Sequence, residues 1–398
     1  MRILFINACY PYGSTGKIVQ ALEDYYNEIG YETFVLYGHG KKSDVHHIKI
    51  SDKLTIKFQS IRRRVTGIMY GGCCISTKKA IRFIEKIKPD IVHLHCLNSN
   101  FINIYRLITW LKNHNIPTVL TNHAEFMFTA NCGYAFDCNK YQTGCGNCPR
   151  LKTVTKSWFA DRTKKSWLMM KKAFNGFDSL VVANVSPWLS DRASNATILR
   201  NFDHYTVLNG VDTKTFCYKN KNDNQNKIKT VLHVTSNFSD SENDRKGGKY
   251  FVELAKKFEG QNVIFIVAGS YTDGITVPSN LKLLGNVNNQ EHLAELYSAA
   301  NLVILTSKKE TFSMITAESL CCGTPVVGFK AGAPEMIAIS EYSDFVDFGD
   351  VESLYQVTIK WLSSSFDKAA ISEIAQKKYS KEKMAADYLE VYNKCLEK

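Results

Sequence analysis

Short apolar runs alternate with segments of helical periodicity along the chain. The runs predict ten strands in two groups of five, at residues 2–6, 33–37, 91–94, 118–121 and 179–183, and at residues 230–235, 263–267, 281–284, 302–306 and 325–329. Apolar, β-branched runs of this length are typical of parallel strands that are buried on both faces. Strands that alternate with helices favour α/β units with right-handed crossovers. The pattern therefore predicts two α/β units with mainly parallel sheets.

The length of 398 residues agrees with this division, because a single hydrophobic core seldom serves so long a chain. The polar residues 219–229, rich in Asn and Lys, are interpreted as an exposed connection between the two units. Residues 380–396 carry apolar side chains at near-helical spacing and predict a closing helix. No run approaches the roughly 18 apolar residues of a membrane span, and the start of the chain reads as a strand rather than a signal peptide. We expect a cytoplasmic protein.

Two carboxylates, Glu310 and Glu318, lie on either side of a predicted turn from strand to helix. The helix should begin near Ser313 and stop at Cys322, because Gly323 follows in the C′ position. Its unpaired backbone N–H groups could then bind phosphate oxygens; they belong to Phe312, Ser313, Met314 and Ile315. Glu318 could accept hydrogen bonds from sugar or ribose hydroxyls. The alternative is that both carboxylates are solvated charges on an amphipathic helix.

The run from Glu310 to Glu318 resembles the Glu-x7-Glu motif of the GT4-type retaining glycosyltransferases, also called glycosyl transferases group 1. Two further runs, Gly323-Thr-Pro-Val-Val327 and Gly332-Ala-Pro-Glu335, extend the resemblance, and Val207-Leu-Asn-Gly-Val-Asp212 is similar to the family's interdomain element. The resemblance covers most of the chain and points to a bacterial surface-polysaccharide subset with a cysteine-rich loop.

This resemblance implies a GT-B fold, an α/β architecture of two Rossmann-like domains that face a central cleft. Residues 1–208 would form the acceptor-binding domain and residues 209–379 the nucleotide-sugar donor domain. Residues 380–398 would form a helix that crosses back to the first domain.

The resemblance also assigns roles to several residues. Arg245 and Lys246, in Arg245-Lys-Gly-Gly248, resemble the family's basic donor clamp, and cations there would neutralise a departing diphosphate. Without the motif, Arg245 and Lys246 would be interpreted as two solvent-exposed basic side chains. His123 follows a predicted strand at its carboxyl end, where ligands bind in open α/β sheets, and it occupies the position of a family histidine near the transferred sugar. A structural histidine is the alternative.

Two other features of the first half bear on binding. Gly13-Ser-Thr-Gly16 precedes a helical pattern that begins near Lys17, and Gly16 would let the backbone approach the donor closely, although glycines are ordinary in such turns. His93 and His95 alternate along the strand at 91–94, and we expect at least one of them to be a packed structural residue.

Four cysteines fall within seventeen residues, at Cys132, Cys138, Cys145 and Cys148. The Cys145-x2-Cys148 knuckle predicts a candidate structural zinc site, with free thiols or disulfides as the alternatives. Catalytic zinc is not expected, because four thiolates leave no open position. The pairs Cys73-Cys74 and Cys321-Cys322 are interpreted as buried structural thiols.

The net charge is +12, and residues 53–88 hold ten basic side chains against the single acid Glu85, interleaved with apolar residues. That composition suits an anionic membrane surface. Nucleic acid binding or a merely solvated basic face would also produce this bias, but no nucleic-acid motif is present and no nucleic-acid partner is expected.

We therefore expect a retaining glycosyltransferase, retention being implied by the resemblance alone. The donor would be a nucleotide-sugar, UDP-linked first and GDP-linked second. The acceptor would be a saccharide or a lipid-linked saccharide in capsule, exopolysaccharide or lipopolysaccharide biosynthesis. Glu310 and His123 would lie at the reacting carbon, with no cofactor required for catalysis. The alternatives are a GT-B sugar-nucleotide epimerase or phosphorylase and, in another class, a basic zinc-stapled nucleic-acid-binding protein.

Overall fold

The computed structural model of the chain describes residues 1–40, 43–219, 228–242 and 244–398. These residues form two compact units, Met1–Leu208 together with Met384–Lys398, and Asn209–Lys383. Residues 220–227, which make up most of the predicted connection, lie outside the described residues. No helix among the described residues is both long enough and apolar enough to cross a membrane.

The first unit is built on a seven-stranded parallel sheet with the strand order β3-β2-β1-β4-β5-β6-β7. Its strands are β1 (Arg2–Tyr10), β2 (Glu32–Gly40), β3 (His47–Lys49), β4 (Ile91–Leu94), β5 (Thr118–Asn122), β6 (Leu180–Asn184) and β7 (His204–Thr206). Its helices, in chain order, are α1 (Gly13–Glu28), α2 (Lys53–Thr66), α3 (Cys74–Ile87), α4 (Ile104–Asn113), α5 (Phe126–Thr129), α6 (Leu151–Val154), α7 (Thr163–Phe174) and α8 (Pro187–Ser194).

The second unit is built on a six-stranded parallel sheet with the strand order β10-β9-β8-β11-β12-β13. Its strands are β8 (Lys229–Phe238), β9 (Val263–Tyr271), β10 (Leu281–Leu283), β11 (Leu302–Leu305), β12 (Val326–Phe329) and β13 (Ser343–Val346). Its helices are α9 (Gly248–Lys257), α10 (Gln290–Ala299), α11 (Met314–Cys321), α12 (Pro334–Ile337), α13 (Val351–Ser363) and α14 (Lys368–Tyr379).

The last helix, α15 (Lys381–Leu396), completes the core of the first unit. Its buried residues pack with Phe5 of β1 and Tyr26 of α1 in one apolar cluster. Tyr26 donates a hydrogen bond to the Ala385 carbonyl oxygen at 2.8 Å, and the hydroxyls of Tyr388 and Tyr392 bond to Thr121 and His93. The first unit is thus assembled from two distant parts of the chain.

All ten strands predicted from the sequence are present, and β1, β2, β8 and β9 run three or four residues further at their carboxyl ends. Three strands were missed, namely β3, β7 and β13. Each has three or four residues, lies at a sheet edge and is only half-buried, so its sequence carries no apolar run.

The predicted start of the first helix near Lys17 is wrong, because α1 begins at Gly13. The residues Gly13 to Gly16 therefore form its first turn rather than a loop. A Cβ on Gly16 would lie 3.1 Å from the Cys9 carbonyl oxygen, so a larger side chain there would require the helix and the end of β1 to move apart by a few tenths of an ångström.

Candidate functional site

Glu310 lies beyond the carboxyl end of β11, and its backbone is fixed to the loop that follows β12. Its N–H donates to the Ala331 carbonyl oxygen at 3.0 Å, and its own carbonyl oxygen accepts from the Ala333 N–H at 3.3 Å. The Glu310 side chain is 11% exposed. A carboxylate so placed is held at the edge of the sheet, where parallel α/β sheets bind ligands.

Two cations converge on this carboxylate. Lys246 Nζ lies 2.6 Å from Glu310 Oε1, and Arg245 Nη1 lies 3.5 Å from the same oxygen. Arg245 also donates to the Lys309 carbonyl oxygen at 2.9 Å. The structure therefore brings together three of the predicted site residues, Arg245, Lys246 and Glu310.

The turn that carries these cations is anchored at both ends. Asp244 accepts from the Lys246 N–H at 3.1 Å and from the Gly248 N–H at 3.3 Å, which ties the turn to the start of α9. The Lys246 carbonyl oxygen accepts from Thr306 Oγ1 at 2.9 Å. Gly247 has φ 69°, and a Cβ there would be 2.2 Å from the Thr306 carbonyl oxygen, so only glycine fits.

The start of α11 supplies unpaired backbone donors. Ser313 caps the helix by accepting from the Thr316 N–H at 3.3 Å, and its own backbone has φ 94°, in the region that favours glycine. In the described part of the chain, four successive N–H groups have no backbone acceptor. They belong to Phe312, Ser313, Met314 and Ile315, the four predicted to bind phosphate. Such an N-terminus attracts anions.

Glu318 has a different partner from Glu310. Tyr297 of α10 donates its hydroxyl to Glu318 Oε2 at 3.2 Å. Tyr297 is fully buried, and burial first, then the charge of Glu318, raises its pKa well above the ordinary value. The tyrosine therefore stays protonated and remains a donor to Glu318.

In the first unit, His123 directly follows β5 and belongs to a row of three histidines. His123 Nε2 lies 2.9 Å from His95 Nδ1, and the His95 and His93 rings are 3.9 Å apart. His93 in turn bonds to Thr121 and Tyr392, both at 2.7 Å. Burial lowers the pKa of His123 to about 4 and those of His93 and His95 well below the ordinary value. All three rings are therefore neutral near pH 7.

Gly16 lies in the first turn of α1, beside a side chain that the sequence analysis did not single out. Asn7 donates to the Cys9 carbonyl oxygen at 2.8 Å and to Thr15 Oγ1 at 3.3 Å, and its Oδ1 accepts from the Cys96 N–H at 3.1 Å. Asn7 thus links the ends of β1 and β4 to the start of α1. This is the point where the strand order reverses, and such switch points bind ligands in open sheets.

The predicted zinc site is not assembled in this structure. Among residues 1–40, 43–219, 228–242 and 244–398, no group of three or more His, Cys, Asp or Glu side chains is placed to hold a metal ion. Burial raises the pKa of Cys132 to about 11, and burial together with the nearby thiols raises the pKa of Cys145 to about 12. Cys132, Cys138 and Cys148 all act electrostatically on the Cys145 thiol, so the four cysteines share one neighbourhood, and zinc binding stays a prediction.

The cysteine loop, residues 130–150, is tied to the first unit through Glu125, which is fully buried. Glu125 Oε1 accepts from Arg192 Nε of α8 at 2.5 Å, and its other oxygen accepts from the Ala135 N–H. Arg192 also stacks over the Tyr141 ring, 4.8 Å from its centroid.

The expectation of a buried thiol is wrong for Cys74, which begins α3 and is exposed, whereas Cys73, Cys321 and Cys322 are buried.

Residues 221–378 match the family described as Glycosyl transferases group 1. The second unit contains a glycosyl transferases group 1 domain. Arg245, Lys246, Glu310 and Glu318 all lie within it. The GT-B fold predicted from the sequence is confirmed, because both sheets are parallel and Rossmann-like and the chain is matched by solved structures that include glycosyltransferases.

One such structure is sucrose-phosphate synthase from Thermosynechococcus elongatus, with a TM-score of 0.66 and 15% identity, covering 99% of this chain and 98% of that one. Another is Anabaena HepE in complex with UDP-glucose, with a TM-score of 0.64 and 13% identity, covering 99% of this chain and 100% of that one. Identities this low show the fold alone.

A curated relative is the N-acetyl-alpha-D-glucosaminyl L-malate synthase of Bacillus anthracis, 21% identical over 206 residues. The alignment takes in 48% of this chain and 54% of the synthase, so the chain spans about half the length of that relative.

Several residues of the group 1 domain were not predicted to shape its site. Glu335 accepts from the Ala331 and Gly332 N–H groups at 3.0 and 2.8 Å, and thereby holds the loop that faces the Glu310 backbone. Asp244 fixes the turn of Arg245 and Lys246. Glu335 ends a motif that the resemblance had already marked, and Asp244 lies next to the clamp. Tyr297, by contrast, lies in a helix whose sequence gives no sign of its contact with Glu318.

Proposed function

We propose that the protein is a retaining glycosyltransferase that moves a sugar from a nucleotide-sugar to a saccharide or lipid-linked saccharide. The observation that carries the proposal is the convergence of Lys246 and Arg245 on Glu310, within the domain whose helix α11 offers unpaired backbone N–H groups. A site with two cations and a helix N-terminus suits a diphosphate.

The donor in this proposal is UDP-linked first and GDP-linked second, and the solved complex of HepE with UDP-glucose supports that order. Residues 209–379 would bind the donor, residues 1–208 the acceptor, and the helix of residues 380–398 would belong with the first domain. Glu318 would accept hydrogen bonds from donor hydroxyls, with its position fixed by Tyr297.

The chemistry follows from the charges. A sugar leaves a nucleotide-sugar as the bond to its diphosphate breaks, and negative charge grows on the leaving oxygen. Lys246 and Arg245 would interact more strongly with that oxygen as its charge develops, and no metal ion is needed in this scheme. Glu310 would stabilise the positive charge that develops at the sugar carbon. His123, neutral near pH 7, would hydrogen bond to the transferred sugar, and His95 would hold its ring in place.

The proposal includes a lipid-linked acceptor at an anionic membrane, in surface-polysaccharide assembly. The support lies in α2, a helix without a single buried residue. Its apolar side chains Leu54, Phe58, Ile61 and Val65 are 80%, 65%, 46% and 43% exposed. They recur at positions i, i+4, i+7 and i+11 and form one face, called here the α2 stripe. Five basic residues share the helix, a composition typical of interfacial helices.

A panel of nucleotide-sugars scored by thermal shift, followed by turnover assays with the best ligand, tests the proposal. A donor at 100 times its dissociation constant should stabilise the protein by about 2.7 kcal/mol. The product should carry a new glycosidic bond of retained configuration, together with free nucleoside diphosphate. Release of a sugar phosphate or of an epimerised nucleotide-sugar would instead favour a phosphorylase or an epimerase, and the absence of any nucleotide-sugar binding would refute sugar transfer.

A further inference from the structure

A pocket lies between α2 and the start of α3, within the first unit and apart from every residue assigned to sugar transfer. Its volume is about 260 Å³. Its wall includes Ser51, Gln59, Arg62, Gly72 and Lys79. Because one water molecule takes about 30 Å³ of liquid, the pocket has room for a phosphate group and part of what it is attached to.

The N-terminus of α3 contributes a positive electrostatic potential to one side of the pocket. The helix has 14 residues and carries no acidic side chain in its first turn. Cys73, in the cap position, has φ 61° and makes no capping hydrogen bond through its side chain. The first N–H groups of α3 therefore keep their attraction for an anion.

Two cationic side chains add to the positive potential of the pocket. Arg62 of α2 and Lys79 of α3 both line the pocket, and within the described residues neither side chain makes a hydrogen bond or ion pair. Asp52 also lines it, but its carboxylate is occupied in capping α2, accepting from the Thr55 N–H at 2.8 Å and from Thr55 Oγ1 at 2.7 Å. The balance of charge in the pocket is therefore positive.

Ser51 provides an independent sign that a ligand belongs there. Ser51 is 7% exposed and lines the pocket, and its hydroxyl is buried with no hydrogen-bond partner among the described residues. Gln59 Oε1 is buried without a partner as well, and it lies where a side chain on Gly72 would be, 2.0 Å from an added Cβ. Unpaired buried polar atoms are unfavourable, and an oxygen-rich anion with a hydroxyl-bearing attachment would satisfy both.

The position of the pocket on α2 indicates what carries the anion. Thr55, Gln59 and Arg62 face the pocket at positions i, i+4 and i+7, whereas the α2 stripe occupies the neighbouring, solvent-facing side of the same helix. At the other end of α2, the Trp158 N–H donates to the Arg64 carbonyl oxygen at 2.8 Å, and Trp158 and Phe159 are 48% and 78% exposed. A dissolved phosphate would leave all these apolar side chains in water. A lipid supplies both an anion and an apolar phase.

We propose that this pocket binds the phosphate group of an anionic lipid while the α2 stripe enters the surface of the bilayer. The proposal extends the membrane contact of the proposed function and does not depend on sugar transfer. The lipid phosphate would accept from Ser51 Oγ and from the start of α3, with Arg62 and Lys79 on either side.

Vesicle binding tests the lipid part of the proposal. Phosphatidylcholine vesicles with phosphatidic acid, which exposes a phosphate monoester, are compared with vesicles of equal surface charge made with phosphatidylserine. Flotation of the full chain should show about tenfold tighter binding to phosphatidic acid. Equal binding to both lipids would overturn the proposal, since it would show a diffuse charge effect.

Two sets of variants test the pocket itself. Ser51→Ala changes no charge and removes a hydroxyl that has no partner, so it should leave the melting temperature unchanged and weaken binding to phosphatidic acid about fivefold. The double variant Arg62→Gln with Lys79→Gln should lose about tenfold more affinity than Lys57→Gln with Lys78→Gln, which removes the same charge from the same two helices outside the pocket. Equal losses in the two double variants, or wild-type affinity in Ser51→Ala, would contradict a pocket site.

Cys74 reports on occupancy without any mutation, because it is exposed and lines the pocket. Its alkylation rate, resolved by mass spectrometry from those of the other cysteines, should fall in the presence of phosphatidic acid vesicles and stay constant with inorganic phosphate at the same phosphate concentration. Equal protection by inorganic phosphate would make this a site for a soluble anion and overturn the lipid assignment. Nucleotide-sugar binding, measured on the same samples, separates failure of this proposal from failure of the proposed sugar transfer.

Discussion

Lys246 Nζ lies 2.6 Å from Glu310 Oε1, so substitution of Lys246 is the most direct test of the donor clamp. Lys246→Ala should lower turnover about tenfold or more, equivalent to at least about 1.4 kcal/mol of lost leaving-group stabilisation. Lys249→Ala is the matched control, because Lys249 lies three residues away and pairs with Glu242 instead. Wild-type turnover in Lys246→Ala would remove the clamp from the mechanism.

Activity should also survive chelation of magnesium, and strict magnesium dependence would contradict the metal-free scheme.

Glu318 is the second residue whose role can be isolated. Glu318→Gln should weaken donor binding by about 1.5–3 kcal/mol, because it removes a charged acceptor of hydroxyl hydrogen bonds. Calorimetry with the nucleotide-sugar measures the change, and circular dichroism checks that the variant is folded. Tyr297→Phe, which leaves the carboxylate but removes its donor, should cost less affinity. Unchanged affinity in a folded Glu318→Gln protein would refute the assignment.

The neutral state of His123 makes the first unit sensitive to acid. Its folded pKa is about 4, against about 6.5 for an unfolded histidine, so the unfolded chain binds more protons between these values. The stabilising contribution is therefore complete above pH 6.5 and is lost as the pH falls towards 4, up to about 3 kcal/mol. The apparent melting temperature should fall over that range, and His123→Gln should flatten the decline. A variant with the wild-type slope would show that other groups cause it.

At the scale of elements, the cysteine loop is the part for which sequence and structure differ most. We predict that Cys132, Cys138, Cys145 and Cys148 bind one structural zinc ion in protein purified under reducing conditions. Metal analysis should find about one equivalent of zinc, and Cys145→Ser should lose it, whereas Cys74→Ser, outside the loop, should retain it. Less than about half an equivalent, with four freely titratable thiols, would leave the loop as a set of unligated cysteines held by Glu125.

The bounds of helix α11 could be predicted from the sequence, whereas the contact that its residue Glu318 makes could not. The helix occupies Met314–Cys321 between the predicted limits, because a capping serine precedes it and Gly323 with φ 80° follows it. Such stop and start signals are local in sequence. The contact of Glu318 with Tyr297 depends on how α10 packs against α11, and no local pattern encodes it.

The same contrast holds for the strands and for the histidine row. The central strands and the edge strand β10 are apolar runs and were found, whereas the edge strands β3, β7 and β13 carry no such run and were not. At least one of His93 and His95 was expected to be a packed structural histidine, and both are buried. Its contact with His123 follows from the adjacency of β4 and β5, which residue spacing alone does not give.

At the scale of the whole molecule, α15 ties the last residues of the chain to the core of the first unit. Deletion of residues 384–398 should expose Phe5, Tyr26 and His93 and unfold that unit, since buried aromatic contacts are among the largest stabilising contributions. Hydrogen exchange of β1 and β4 measures the effect, and deletion of Glu397 and Lys398 alone is the control. Native protection of β1 in the longer deletion would show that the unit is stable without α15.

Because the first unit includes the last residues of the chain, it can be completed only at the end of translation. Residues 1–208 leave the ribosome long before residues 384–398 exist, and translation of the intervening residues 209–383 takes roughly 10–35 s at about 5–20 residues per second. Throughout that interval the apolar surface that α15 will cover has no permanent occupant. The nascent first unit therefore exposes that apolar surface until residues 384–398 emerge, whereas all residues of the second unit are synthesised before the first unit is complete.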